Sequence, residues 1–194
     1  MTTEEFQALP DKCKRIALAR DVLLRLRETN LQVRQGNFVK FTFRTTDALA
    51  LHGLGDVCSV LESRPGECCV CALGALFIET AMKRKGEQET DRAFKRKAVG
   101  DGFLRSYEPD ERVWLNLYDH HLMPIFEDIF SGDQLMDIER AFEGGNGYWK
   151  SDNQDFNDFI NRYPDDRERL IKIMENIIDV CGTFDIKRAL GSKE

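Results

Sequence analysis

Four cysteines crowd one stretch of the chain, Cys58, Cys68, Cys69 and Cys71, and His52 lies close by. Zinc takes four sulfur or nitrogen ligands in a tetrahedron, usually from pairs spaced C-x2-C. Here the spacing is C-x-C beside an adjacent cysteine, in an apolar run that reads as a helix, and successive helical residues diverge by about 100°. The pattern favours buried thiols that behave as small hydrophobes and leaves a zinc site as the rival. Asp119-His120-His121 is a second candidate, with His as base or ligand and Asp as orienter. Its two imidazoles point to different faces of a helix, so at most one joins any given site. The loop from Gly144 to Asp158 offers oxygen ligands at Asn146, Asp152, Asn153 and Asp155, suited to calcium, but it lacks the EF-hand spacing. Loop-forming and helix-capping duty competes with that reading. Metal is therefore not assigned, and no cofactor is expected.

Other catalytic patterns are weak. Gly53-Leu-Gly55 is too short for a phosphate-binding loop, no Gly-x-Ser-x-Gly elbow occurs, and Ser59 and Ser63 show no recognisable catalytic sequence pattern. Charge patterning says more. The net charge of −6 splits into +4 over residues 1–106 (18 Lys/Arg against 14 Asp/Glu) and −10 over residues 107–194 (10 against 20). Residues 83–105 carry eight basic and four acidic side chains, with Phe94 and Phe103 interleaved, a composition that suits either phosphate contact or a solvated loop. Residues 107–166 carry 15 acidic and four basic side chains. Such a face can imitate nucleic-acid charge or merely solubilise the fold. Glu127, Asp128, Asp133, Asp137, Asp155 and Asp158 are its candidate binding residues.

These residues need a scaffold, and the hydrophobic spacing predicts a mostly α (α+β) domain spanning 1–194. The expected architecture is a helical bundle around a small-residue central helix, with a β-hairpin or small sheet near residues 31–44. Ile16, Ala19, Leu23 and Leu26 recur at helical spacing, giving a helix over 11–28 that starts at Pro10-Asp11. Leu31-Gln-Val33 and Phe38 to Phe43 read as strands across a Gln35-Gly36-Asn37 turn. Cys68 to Met82 reads as the central helix, its Cys71, Ala72, Gly74, Ala75 and Ala81 small enough for close backbone approach. Residues 86–106 read as a flexible loop. Asp110 onward reads as an aromatic helix with Val113, Trp114, Leu117 and Tyr118, bent at Pro124. Ser131-x-x-Gln134 is a capping box ahead of Leu135, Ile138 and Phe142, and that helix ends at Gly144 to Gly147. Asp165 or Asp166 caps a last helix whose stripe runs Leu170, Ile173, Met174, Ile177, Ile178 and Cys181, with Gly182 as a left-handed cap. That stripe is expected to pack on Ala72, Ala75 and Leu76. Cys13 and Cys181 are expected in the core, and disulfides are not.

The longest apolar run, Cys68 to Ile78, is 11 residues, short of the roughly 18 that a membrane span needs. The acidic N-terminal stretch shows no signal peptide. A cytoplasmic protein without membrane contact is the expectation.

Three stretches stand together: Arg15 to Leu23, Cys69-Val-Cys-Ala-Leu-Gly-Ala-Leu-Phe77, and Ile173-Met-Glu-Asn-Ile-Ile178 followed by Gly182-Thr-Phe184. With Gln134-Leu and Ile138 to Glu143 they resemble a family of small uncharacterised proteins of phages and bacterial genomes. The resemblance implies a phage or mobile-element setting and carries over no activity and no site residues. The leading expectation is a non-catalytic accessory protein that binds a host protein, to inhibit a defence or nucleic-acid-processing system. Complementary charge would also allow a homo-oligomer, and direct nucleic-acid binding is disfavoured. The alternatives are a small-molecule or nucleotide binder, or a hydrolase, using Gly53/Gly55, residues 83–105 and His120 or His121, and a metal-binding protein.

Overall fold

The stripe Leu18, Ala19, Val22 and Leu26 is fully buried, on a helix that begins after Pro10, which has no N–H to donate and whose carbonyl accepts the Cys13 and Lys14 N–H groups at 2.8 and 3.0 Å. In a computed structural model describing residues 1–36, 38–41, 58–59, 62–63, 68–84, 104–106, 113–115, 126, 128–144 and 153–191, that helix is α2 (Asp11–Glu28). It follows the short α1 (Thr3–Gln7), whose Thr2 and Glu5 form a capping box. The predicted bounds of α2 hold.

Among the described residues the sheet contains five strands, β1 (Gln32–Val33), β2 (Val39–Phe41), β3 (Cys68–Val70), β4 (Leu104–Ser106) and β5 (Val113–Leu115), in the order β1-β3-β2-β5-β4. β3 runs parallel to β1 and antiparallel to β2, so of the hairpin and the small sheet that the sequence allowed near residues 31–44 the sheet is what forms, with β3 between the two strands. Two expectations change here. Cys68 to Val70 is strand, and the central helix α3 (Ala72–Lys83) begins only after Cys71 as N-cap. Val113 to Leu115 is strand and not helix: it pairs with β2 and β4, where β-branched and aromatic side chains suit a pleated surface. An apolar run does not announce its own period, and both corrections have that origin. Of the expected loop over 86–106, residues 104–106 form β4. The remainder lies outside the described residues, as does the expected bend at Pro124.

Helix α3 is the central helix in fact, buried from Ala72 through Ala81. Gly74 is what lets it dock. A Cβ there would overlap the Phe38 carbonyl oxygen, which accepts the Cys71 N–H at 3.2 Å, so the first turn of α3 sits directly on the start of β2.

Among the described residues four helices follow: α4 (Gly132–Glu143), α5 (Gln154–Arg162), α6 (Asp166–Asp179) and α7 (Ile186–Ala189). Both arms of the Ser131/Gln134 capping box are present, at 3.3 and 3.1 Å, and Asp165 caps α6 by accepting the Glu168 N–H at 2.8 Å. Helix α5 replaces the last part of the expected loop, with Asn153 as its N-cap. Leu170, Ile173, Met174 and Ile177 are fully buried in the same core as Ala72, Ala75 and Leu76, and α6 lies against α2 and α4, each of which also packs on α3. Two arginines fix its orientation. Arg15 near the start of α2 donates to the Gly182 and Ile129 carbonyls at 2.5 and 2.6 Å. Arg167 near the start of α6 donates to Leu31 and Leu26 beyond and at the end of α2, so the two helices run antiparallel.

Helix α6 ends in a Schellman arrangement, Gly182 N–H to Ile177 and Cys181 N–H to Ile178. The left-handed cap residue is Cys181, at φ 55°, with Gly182 next at φ 92°. Gly182 is needed for a second reason, because a Cβ there would run into the Lys12 backbone. Cys181 is consequently exposed and Cys13 only half-buried, contrary to their expected core positions. All six cysteines are free thiols. Among the described residues, the buried apolar side chains of α1 to α6 and the sheet form one core, and no helix is long and apolar enough to cross a membrane.

Candidate functional site

Helix α4 buries Leu135, Ile138, Ala141 and Phe142, then ends at Gly144, whose φ of 65° turns the chain away. Its last residue, Glu143, is only 6% exposed. The side chain reaches the tight connection between β1 and β2, where Gly36 at φ 70° aims its N–H at Glu143 Oε2 across 2.7 Å. The neighbouring Gln35 is held twice: its N–H donates to Asp166 Oδ2 at 3.0 Å, and its side-chain amide to the Phe142 carbonyl at 2.9 Å. A turn of the sheet is thus clamped by the C-terminus of α4 and the N-terminus of α6.

Arg169, one turn into α6, completes the clamp at 2% exposure. Nε donates to Tyr163 O at 2.9 Å, Nη2 to Pro164 O at 2.9 Å, and Nη1 to Phe142 O at 2.8 Å and Asp166 Oδ1 at 3.1 Å. The guanidinium also lies 5.6 Å from the centre of the Phe142 ring, within cation–π range. A buried cation is tolerable only when so paired. Its hydrogen-bonding capacity is nearly spent within the protein, so it is no open receptor for an anion.

Between these elements and the α5 residues Asn157, Ile160 and Asn161 lies an open cleft of about 420 Å³, with Gly144 and Pro164 on its walls. Burial raises the Glu143 carboxyl to about 7, and the carboxylates of Glu139 and Asp166 push the same way; the Gly36 N–H and the Cys71 thiol pull against them. Cys71, the N-cap of α3, is fully buried, and burial followed by the charge of Glu143 drives its thiol well above the ordinary range. A thiol so held stays protonated and is no nucleophile. Cys69 is also raised by burial, opposed by Arg34 and Lys40. The arrangement can hold a ligand by its polar groups and share a proton through Glu143.

A second concavity of about 320 Å³ lies between α2 and α3, lined by Asp21, Leu24, Arg25, Glu28, Glu79 and Lys83 among others. Arg25 and Glu79 grip one another there, and Lys83 pairs with Asp21 at 2.7 Å. Burial raises the Glu79 carboxyl against the pull of Arg25. Its principal charges already answer one another.

Of the acidic residues singled out from the sequence, Asp128, Asp133, Asp137, Asp155 and Asp158 are among the described residues. Asp128 is spent on Arg84, at 3.0 and 3.3 Å. Asp133 and Asp137 stand one turn apart on α4. Burial and then Asp133 push Asp137 upward, while Arg140, at 3.7 Å, opposes them. Asp155 and Asp158 lie on α5; Asp158 is exposed and accepts the Gln154 amide at 2.7 Å. Asn153 caps α5 through the Asp155 N–H at 2.9 Å, which gives Asn153 a structural use in place of the suggested calcium loop. Among the described residues, no group of three or more His, Cys, Asp and Glu is arranged to hold a metal. Glu127, His52, Gly53, Gly55, His120, His121, Asn146 and Asp152 lie outside the described residues.

The cleft residues were missed, although two of them left a signal. Glu143 follows Phe142 and stands eight residues after Leu135, within the inward arc of α4. Arg169 precedes Ile173 by one turn on the stripe of α6. A charge on an apolar stripe asks for a buried partner, and both charges have one. In comparisons with family models, curated proteins and solved structures, the chain matches none.

Proposed function

We propose that this chain is a non-catalytic binding protein that seats a small polar ligand in the cleft between α4, α5, the start of α6 and the β1–β2 turn. The carrying observation is the convergence of Glu143, Asn157, Asn161 and Asp166 on one open space. A concave site with a few converging polar groups and a perturbed carboxyl is the usual form of a ligand site. Catalysis is not part of the reading, because the adjacent thiol is held protonated and Arg169 is committed to carbonyls and Asp166. Ligand-observed NMR against a library of small polar compounds tests it. At least one compound should bind the native protein and lose binding in the Asn157→Leu/Asn161→Leu double variant. A library in which every binder is indifferent to that change would remove the cleft from consideration.

A second reading rests on a different observation. Asp133 and Asp158 are exposed, and Asp133 stands one turn from Asp137 on α4, near enough to push that carboxyl upward. In this reading the protein is a cytoplasmic phage or mobile-element accessory factor whose acidic helices dock on a basic host protein. Capture from host lysate at low salt, lost on substituting Asp133, Asp137, Asp155 and Asp158 by Asn, is the expected result. Equal capture by that variant would refute it.

A further inference from the structure

The chemistry of the cleft wall narrows the ligand, given the ligand-binding reading on which this step rests. Helices α4 and α5 both end at the cleft, presenting the negative ends of their dipoles. The N-terminus of α6 also arrives there, but Asp165 caps it and Asp166 and Glu168 occupy its first turn, which offsets its positive end. The wall already holds a cation of the protein's own: Arg169 is accepted by the Tyr163, Pro164 and Phe142 carbonyls and by Asp166. What remains facing the space is Glu143, whose hydrogen-bond donors are the neutral Gly36 amide and Cys71 thiol and whose charged neighbours include the carboxylates Glu139 and Asp166. Asn157 and Asn161, one turn apart on α5, add two side-chain carbonyls that can turn toward a donor. Acceptors therefore dominate, and an anionic ligand would meet carboxylates on two sides.

We infer that the cleft takes a small molecule carrying a protonated primary amine, with Glu143 as its counter-ion and the Asn157 and Asn161 carbonyls as further acceptors. An ammonium has three donors and no acceptor, which matches a carboxylate flanked by two amides. It also relieves the crowding of Glu143 with Glu139 and Asp166.

Three probes of similar length and different charge separate the possibilities: 1,4-diaminobutane, 1,4-butanediol and succinate, titrated into the full chain at low salt and at a pH above the Glu143 midpoint of about 7, where the carboxyl is ionised. The backbone amide of Gly36, bonded to Glu143, reports occupancy by its chemical shift. The diamine should shift it saturably, Glu143→Gln should weaken that response at least tenfold, and the diol and succinate should leave it in place. Asn157→Leu, which leaves the clamp untouched, should weaken the diamine severalfold and serves if Glu143→Gln alters the fold. Saturable binding of the diol or succinate at the cleft, as tight as the diamine, would overturn the amine assignment and leave the ligand-binding reading standing. Diamine shifts confined to Asp133, Asp137, Asp155 and Asp158 and unaffected by Glu143→Gln would mean general attraction to acidic groups, and would overturn the assignment too. No response to any of the three would equally end it, while the Asn157/Asn161 screen decides separately whether the cleft binds anything.

Discussion

Helix α6 belongs to two regions built on opposite principles. Its middle, from Leu170 to Ile177, is a dry apolar stripe against α2 and α4, while its first turn, Asp166 and Arg169, is part of a buried polar clamp around Gln35, Gly36 and Glu143. The stripe tolerates any partner of the right shape, since burial of apolar area has no direction. The clamp does not, since every donor must meet its acceptor. The same helix thus gains stability from one region and positions a site with the other.

The largest effect should come from breaking the stripe. Ile177→Asp puts an unpaired charge where the native side chain has no exposure. Against a typical total of about 5–15 kcal/mol, a loss of roughly 4 kcal/mol or more is expected. Chemical denaturation should show no cooperative folded baseline at ambient temperature. A variant within about half a kcal/mol of native would place the stripe at the surface.

Next is the clamp. Arg169→Met keeps most of the volume, leaves the Tyr163 and Pro164 carbonyls without their Arg169 donors and leaves the Phe142 carbonyl with Gln35 alone, at an expected cost of about 3 kcal/mol or more. Arg169→Lys should recover little, because an ammonium cannot span acceptors arranged for a planar fork. Urea melts of the three proteins decide the point, and full recovery by Lys would mean that charge, not geometry, is what the clamp uses.

The smallest effect belongs to the exposed acids. Asp158→Asn keeps an acceptor for the Gln154 amide and should change stability by less than about half a kcal/mol. A thermal melt suffices. A larger loss would show that α5 depends on its charges and would blur the contrast drawn above.

The two regions also differ in how far the residues announced them. The stripes of α2 and α6 and the caps of α4 and α6 were legible because period, capping residue and stop signal are local and agree. The extent of the α2–α6 and α4–α6 packing was not, since apolar stripes alone do not rank their partners and only the chain path decides that. The strands at Cys68–Val70 and Val113–Leu115 were misread as helix for want of a period. Helix α5 was hidden behind turn residues that turn out to cap it. The clamp was almost invisible: its hydrogen bonds join Gln35 to Asp166 across 131 residues and Gly36 to Glu143 across 107, and no spacing rule reaches that far. Charges on apolar stripes at Glu143 and Arg169 were the available sign.

The pH dependence of Glu143 tests the account of the site most directly. Burial holds its proton up to about pH 7, whereas the unfolded chain releases it near 4.5. Across that window the folded state binds a proton that the unfolded state has lost, so stability from this group is fully present below the lower value. It is lost as pH rises through the upper one, to a total of roughly 3 kcal/mol. The measurement is an NMR titration of the Glu143 side-chain carboxyl carbon, with the Gly36 amide proton followed alongside. Both should titrate together with a midpoint about 7, and Glu143→Gln should abolish the Gly36 transition and flatten the corresponding fall in stability. A Glu143 midpoint near 4.5, with Gly36 unmoved between pH 6 and 8, would mean that the carboxyl is solvated, and the cleft would lose its central group.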